Sequence, residues 1–217
     1  MKKNLLFYFL PILFLISCIK HEIIPAPSKT VELTSSFKGS IGGTDIKWLQ
    51  NVDDYNCIPS QIKNLNTIGG GQSSVVFIST ISSTSVKGQI SVRLGTVNWT
   101  QYDTPTNEIF TKFLDGVKSK NPTYSREGKF GFEVKYIDNL GIEWVSDSAS
   151  AFPQNVTFTN LSYDSEIKND KTLDYCKFTV TFNCHLFYYD KVKQHKDSIE
   201  VQNAVFKGWF MRQQLIP

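Results

Sequence analysis

The sequence predicts a mainly β fold, namely an antiparallel β-sandwich or open barrel with one short amphipathic helix. From about Val31 onward, apolar and polar side chains alternate with a period of two in many segments, which is typical of strands with one buried face. Turn-forming residues separate these segments, and a single segment has helical periodicity. Many strands joined by such turns favour a two-layer β architecture.

The first predicted hairpin surrounds a glycine-rich turn. Residues 37–41 alternate as a strand, residues 42–45 supply the turn as Gly-Gly-Thr-Asp, and Ile46 and Trp48 lie on the return strand. The same alternation predicts a further strand over residues 86–94. The face of this strand that is predicted to be solvent-exposed carries Lys87, Gln89, Ser91 and Arg93.

The clearest hairpin is predicted over residues 129–147. Its turn, residues 138–141, reads Asp-Asn-Leu-Gly, which fits a type I turn followed by a glycine bulge. This turn sets Tyr136 opposite Trp144, with both rings facing inward. The inward face of the first strand is apolar and comprises Phe130, Phe132, Val134 and Tyr136.

A long strand is predicted over residues 174–190, followed by a charged loop over residues 190–197 and a closing strand from Ser198 to about Met211. The apolar phase changes within the closing strand, which predicts a β-bulge near Asn203. The apolar face of the long strand comprises Cys176, Phe178, Val180, Phe182, Cys184, Leu186 and Tyr188.

The one predicted helix begins near residue 105. Thr104 is the expected N-cap, Pro105 suits the first helical position, and Glu108 suits the positive end of the helix dipole. Asn121-Pro122 ends the helix. Its apolar stripe consists of Ile109, Phe110, Phe113, Leu114 and Val117.

The first residues predict export and a lipid anchor. Lys2 and Lys3 precede an apolar run over residues 5–16, which is shorter than the roughly 20 residues that span a bilayer. Residues 1–17 are therefore predicted to be a lipoprotein signal peptide. The run ends Leu-Ile-Ser-Cys and resembles a lipobox, in which the thiol of the cysteine, here Cys18, is acylated.

Acylation at Cys18 would attach the chain to a membrane without a spanning helix, provided that two or more acyl chains are present. Residues 18–30 contain two prolines and no periodicity, and we expect them to form a tether. Residues 31–217 are then predicted to form a single β-sandwich-like domain.

The charge balance argues against a nucleic-acid partner. The chain has 23 Lys and Arg residues and 20 Asp and Glu residues, and Lys2 and Lys3 would leave with the signal peptide. No polybasic stripe remains, so contact with a phosphate backbone has no electrostatic support.

The order of several segments resembles small β-rich lipoproteins of the Bacteroidota cell envelope. The segments are residues 37–43, the helix, and residues 132–144, 182–187 and 204–210. The resemblance implies a compact β fold in the envelope, where we expect a lipid-anchored protein at the outer membrane. The resemblance identifies no catalytic residue in this chain. Two tripeptides resemble the O-glycosylation acceptor of such proteins, and glycosylation stays open at their serines, Ser148 and Ser198.

Histidine-based catalysis has little support in the sequence. His21 lies in the tether and His195 in the charged loop, where solvated imidazoles are expected. His185 lies on the wet face of its strand, so its side chain points away from that of Cys184. A Cys–His pair from these neighbours is therefore geometrically poor.

Carboxylate pairs and anion loops also fail to form a recognisable site. Glu143 is expected opposite Ile137, which places it roughly 13 Å from Glu133 at about 3.3 Å per residue. Glycosidase carboxylates stand about 5–9.5 Å apart, so both glutamates are interpreted as surface charges. The glycine-rich segment at residues 69–74 lacks a phosphate-binding Lys and leads into a strand.

No metal and no cofactor are expected. Asp53, Asp54 and Asn56 offer oxygen ligands, but their spacing matches no known calcium loop. Cys176 and Cys184 lie roughly 27 Å apart along one strand and are not expected to bond to each other. Three cysteines remain after Cys18, and whether Cys57, expected in a loop, forms a disulfide with either of the others stays open.

We expect a binding or accessory module for a glycan or an envelope protein rather than an enzyme. The alternatives are a structural lipoprotein without a small ligand and, less favoured, a hydrolase with an unrecognised site. Trp99, Tyr102 and Trp209 could line a ligand surface, although core packing is the favoured fate for any one of them.

Overall fold

The computed structural model describes residues 30–66, 71–100, 103–120, 122–126, 128–148, 150–190 and 195–213, without the side chains of Asp190 and His195. Cys18 lies outside these residues, so the signal peptide, the lipid attachment and most of the tether stay predictions. The helix in the described part of the chain is neither long nor apolar enough to cross a membrane.

The elements of the described residues confirm a mainly β fold with one short helix. The helix is α1 (Asn107–Ser119). The strands are β1 (Ser36–Ile41), β2 (Thr44–Leu49), β3 (Asn56–Asn64), β4 (Ser73–Ser82), β5 (Gln89–Trp99), β6 (Thr123–Tyr124), β7 (Gly131–Ile137), β8 (Glu143–Ser146), β9 (Asn155–Lys168), β10 (Lys171–Asp190) and β11 (His195–Met211).

The strands form one sheet in the order β2-β1-β11-β10-β8-β7-β5-β4-β3, with β9 paired to β10 and β6 paired to β7. All pairs are antiparallel except the short β6–β7 pair. The sheet curls so that β11 faces β3 and β4. A Cβ added at Gly208 of β11 would lie 2.7 Å from Ser79 Oγ and 3.4 Å from Cys57 Sγ. The sheet is not closed into a barrel, since β2 and β3 remain its ends.

The core lies between the curled layers and confirms the predicted face of β10, whose six apolar residues from Cys176 to Leu186 are buried. The helix covers one part of this core. Phe110 packs edge-on against Phe77 of β4, with ring centroids 5.1 Å apart. Burying such a side chain stabilises the fold by about 1.5–3 kcal/mol. The buried residues of α1 match the predicted stripe except for Ile109, which is half-buried; they are Phe110, Phe113, Leu114 and Val117.

The start of the helix differs from the prediction. Thr106, not Thr104, is the N-cap, and its hydroxyl accepts a hydrogen bond from the backbone N–H of Ile109 at 3.3 Å. Pro105 is therefore outside the helix. Its carbonyl accepts a hydrogen bond from Arg212 Nη1 at 2.9 Å, a contact from the far end of the chain that fixes the approach to the helix.

The predicted β7–β8 hairpin is confirmed in its register. Tyr136 pairs with Trp144, and Ile137 pairs with Glu143. The backbone N–H of Gly141 donates to the carbonyl of Asp138 at 3.0 Å, and Gly141 has a φ of +84°, as the bulge after a type I turn requires.

The bulge predicted near Asn203 is also confirmed. Phe182 pairs with Ala204 but Cys184 pairs with Val201, so β11 contains one extra residue opposite Asn183. Asn203 has a φ of +52°, and its N–H donates to Asn183 Oδ1 at 2.6 Å. The side-chain amide of Asn183 thus satisfies a backbone group that the bulge removes from the ladder.

Three further predictions about the position of elements were wrong. The strand expected from residue 86 begins at Gln89, because Gly88 has a φ of +111°, which is not strand backbone. The charged loop ends early, because Lys196 already pairs with Tyr189 across the β10–β11 ladder. Cys57, expected in a loop, lies on β3 and is buried.

We expect Gly39→Ala to destabilise the domain. Gly39 faces the β11 bulge, and an added Cβ would lie 2.9 Å from Ala204 Cα, a backbone atom that cannot move without disturbing the bulge. Overpacking of this kind costs about 1–3 kcal/mol. Urea unfolding measures the change, with the exposed neighbour substitution Lys38→Ala as the control. Equal stability of the two variants would contradict the close approach of β1 to the bulge.

Candidate binding cleft

Trp99 and Trp209, which the sequence offers for a ligand surface, do not form one. Trp99 is 3% exposed and Trp209 is 6% exposed, so both indoles belong to the core. Tyr102 lies outside the described residues. A ligand surface built on Trp99 and Trp209 is therefore wrong, and core packing, the favoured fate of each, is confirmed for both.

A different aromatic group lines an open cleft of about 380 Å3. Its rings are those of Trp48 from β2, Tyr136 from β7 and Trp144 from β8, all half-buried, above the buried ring of Tyr55. We call this feature the aromatic cleft. Its volume falls in the range of small-molecule sites. The rest of its lining comprises Ile41, Gly42, Thr44, Ile46, Val86, Lys87, Asp138, Asn139 and Ile199.

Two hairpins that are distant in sequence meet at the aromatic cleft. Trp48 stacks on Tyr55 with ring centroids 4.7 Å apart and planes inclined by 15°. The ring centroid of Tyr136 lies 6.5 Å from that of Trp48 with planes inclined by 28°, and Trp144 packs against Tyr188 at 5.7 Å. Each ring is held by at least one other ring, so their positions are fixed before any ligand arrives.

Asp138 orients the indole of Trp144. Its Oδ2 accepts from Trp144 Nε1 at 3.1 Å, while its Oδ1 accepts from the N–H groups of Leu140 and Ile142 at 2.9 Å each. Burial acts to raise the pKa of Asp138, but these hydrogen bonds and one from the Gly141 N–H outweigh burial and hold the pKa below its ordinary value. The carboxylate of Asp138 therefore stays ionised, and both of its oxygens are engaged in hydrogen bonds. This state suits a residue that positions Trp144 and not a general base.

The rim of the aromatic cleft is polar. The side chains of Thr44, Lys87 and Asn139 are exposed there. Lys87 forms no ion pair with any other described residue. The cleft thus combines flat apolar rings with a few exposed hydrogen-bonding groups, which is the composition of sites for small polar ligands.

The prediction that both glutamates are surface charges is wrong for Glu133 and confirmed for Glu143. Glu133 is 7% exposed, because Arg126 and Arg93 cover its carboxylate in ion pairs. Glu143 is exposed and pairs with Lys135 at 3.3 Å. The confirmed hairpin register keeps the two glutamates four residues apart along the sheet.

The structure also confirms that Cys184 and His185 point in opposite directions. Cys184 is buried in the core, and the half-buried ring of His185 stacks on Phe152 with centroids 3.8 Å apart. His21 and the side chain of His195 lie outside the described residues.

The described cysteines are all free and buried. Cys176 and Cys184 lie on one strand, which confirms the reason for expecting no bond between them. Burial raises the pKa of Cys57 to about 11 and that of Cys184 to about 12. These thiols are therefore protonated near neutral pH, which makes them poor nucleophiles.

Of the residues that the structure describes, neither those of the acidic loop nor those of the glycine-rich segment line the aromatic cleft. Asp54 accepts a hydrogen bond from Ser85, and within the described ranges no three acidic, His or Cys side chains come together as a metal site. Gly69 and Gly70 lie outside those ranges, and residues 73–82 form β4, which confirms that the glycine-rich segment leads into a strand. Ser148 and Ser198 are exposed, and their glycosylation stays a prediction.

Comparison of the chain with protein-family models, with curated proteins and with solved structures gave no match. The functional argument therefore rests on the geometry of the aromatic cleft and on the chemistry of its lining.

We expect Asp138→Asn to destabilise the domain at neutral pH by about 1–3 kcal/mol, because a half-buried carboxylate with several donors is replaced by a group with one acceptor oxygen. The folded-state pKa is lowered, so the stabilisation by Asp138 is present above the unfolded-state pKa of about 3.9 and is lost as the pH falls through the folded-state pKa.

Urea unfolding of the parent chain and Asp138→Asn across this pH range tests the expectation. The stability difference should shrink in acid, while Glu143→Gln, at an exposed carboxylate of the same hairpin, should show little difference at any pH. A difference for Asp138→Asn that is independent of pH would contradict the role given to the carboxylate.

Proposed function

We propose that the protein is a lipid-anchored envelope lipoprotein, attached through Cys18 at the outer membrane, whose β domain binds a carbohydrate in the aromatic cleft. The observation that carries the proposal is the set of half-buried rings of Trp48, Tyr136 and Trp144 around one open cleft. The anchor rests on the lipobox-like residues 15–18 and on the apolar run before them.

Carbohydrate is the ligand class that this lining favours. A sugar ring has apolar C–H faces that pack on aromatic rings, and hydroxyl groups around its edge that need hydrogen-bonding partners. Trp144 and Trp48 supply ring surface, and Lys87 and Asn139 supply polar groups at the rim. An apolar ligand would leave these polar groups without a role, and a strongly charged ligand would meet few opposite charges.

Binding is favoured over hydrolysis because the acidic residue that lines the cleft already accepts hydrogen bonds through both of its carboxylate oxygens. This residue is Asp138. Glycoside hydrolysis uses a pair of carboxyl groups, one of which must exchange a proton with the substrate. Asp138 alone does not supply that pair.

A structural lipoprotein, or one that holds another envelope protein, is the second candidate. The exposed apolar side chains on β3 favour it, since Ile58 and Ile62 are each 54% exposed on an end strand of the sheet. Carbohydrate binding and protein contact predict different effects of substitutions in the cleft, which separates the two candidates.

We expect Trp144→Ala to weaken carbohydrate binding by at least roughly two- to tenfold, because one aromatic contact contributes about 0.5–1.5 kcal/mol. A glycan array identifies the oligosaccharide, and calorimetry measures the affinity of each variant. Trp144→Phe, which keeps a ring, should recover part of the loss.

The matched control is Tyr189→Ala, which removes an aromatic side chain that is 55% exposed and lies outside the cleft. This variant should bind as the parent does. No binding to any oligosaccharide, or equal losses in Trp144→Ala and Tyr189→Ala, would contradict the proposal and favour the structural alternative.

We expect Cys18→Ala to abolish incorporation of labelled fatty acid and to release the protein from membranes, because Cys18 is the proposed attachment site. Labelling and cell fractionation measure both effects. Cys176→Ala, which removes a buried thiol, is the control and should stay labelled. A Cys18→Ala chain that remains labelled and membrane-bound would contradict the anchor.

A further inference from the structure

The sheet has a gap in its pairing between β7 and β10. Along one edge of β7, β6 pairs with residues 131–132 and β8 pairs with residues 135–137, so no strand covers the two residues between them. Along β10, pairing with β9 ends at Asn183 and pairing with β8 begins at Leu186. The backbone N–H of Val134, which lies in this gap, donates to a side chain instead of a strand, namely to Ser146 Oγ at 2.9 Å.

A cavity of about 480 Å3 opens at this gap. We call it the sheet-gap cavity, and its lining includes Ser125, Arg126, Ser146, Ser148 and Phe187. Asp147 also lines it, but its carboxylate pairs with Lys196 Nζ at 2.8 Å, which offsets that negative charge.

A buried carboxylate holds Arg126 in place at the cavity. The side chain of Glu133 is 9% exposed, and it accepts a hydrogen bond from Arg126 Nε. Arg93 Nη1 lies 3.8 Å from the same carboxylate, and Arg93 Nη2 donates to the carbonyl of Arg126 at 3.2 Å. Two guanidinium groups thus share one carboxylate, which leaves a net positive charge.

The outer nitrogens of Arg126 remain available. Its side chain is 61% exposed, and its Nη atoms contact no acceptor among the described residues. A guanidinium group presents a planar fork of N–H donors that matches two oxygens of a sulfate or phosphate. The hydroxyls of Ser146 and Ser148 line the same cavity and can donate to further oxygens.

We propose that the sheet-gap cavity binds an oxyanion, a sulfate or phosphate group carried by a larger ligand, through Arg126 and the neighbouring serine hydroxyls. The site is separate from the aromatic cleft, because the two have no lining residue in common. Glu133, which holds Arg126, also points to the opposite face of β7 from Tyr136. The proposal therefore does not depend on carbohydrate binding in the cleft.

Titration of the full 15N-labelled chain in detergent micelles with sodium sulfate tests the site, with sodium chloride keeping the ionic strength constant. Saturable shifts are expected for the Arg126 Nε–H signal and the amide of Ser146. Arg126→Gln should weaken sulfate binding by at least about tenfold. Arg126→Lys keeps a charge beside Glu133 but loses the fork, so it should bind with intermediate affinity.

Lys171→Gln is the matched control, since it removes one positive charge from the exposed first residue of β10, outside the cavity, and should leave the affinity unchanged. Glucose 6-sulfate and glycerol 3-phosphate then distinguish a sulfated sugar from a phosphorylated headgroup, and tighter binding of either than of free sulfate supports the site and names the source. Absence of saturable shifts with all three probes would overturn the proposal. So would equal weakening by Arg126→Gln and Lys171→Gln.

Discussion

The hydrogen-bonded pairing of β10 along both of its edges is the constraint on which the rest of the structure depends. One edge pairs with β11 from Tyr175 to Asp190, and the other is shared by β9 and β8. The strand also supplies a buried face from Cys176 to Leu186. The layers on either side of the core are therefore joined through one element, and their relative positions follow from its register.

Both candidate sites lie where regular pairing stops. The aromatic cleft forms where the end hairpin β1–β2 meets the β7–β8 hairpin, which brings Trp48 near Tyr136. The sheet-gap cavity forms where β8 and β9 leave part of β10 uncovered, next to Arg126. Irregular backbone at these places exposes polar groups and cavities that a continuous ladder would fill, and the rigid sheet around them fixes the side chains.

Local signals explain what the sequence could predict. The β7–β8 register followed from turn chemistry, and the bulge at Asn203 followed from a change of apolar phase. The features that were missed depend on contacts between distant parts of the chain. Thr106 caps the helix while Arg212 holds the preceding proline, and two arginines bury Glu133. The aromatic cleft was missed for the same reason, because no local sequence pattern joins Trp48 to the β7–β8 hairpin.

The indole N–H signals of the four tryptophans test the central claim most directly. Addition of the oligosaccharide selected by array to the 15N-labelled protein should shift the signals of Trp48 and Trp144, which line the aromatic cleft. The signals of Trp99 and Trp209 should stay in place, because both indoles are buried in the core. Shifts confined to Trp99 and Trp209, or no shift of any indole at saturating ligand, would contradict binding in the cleft.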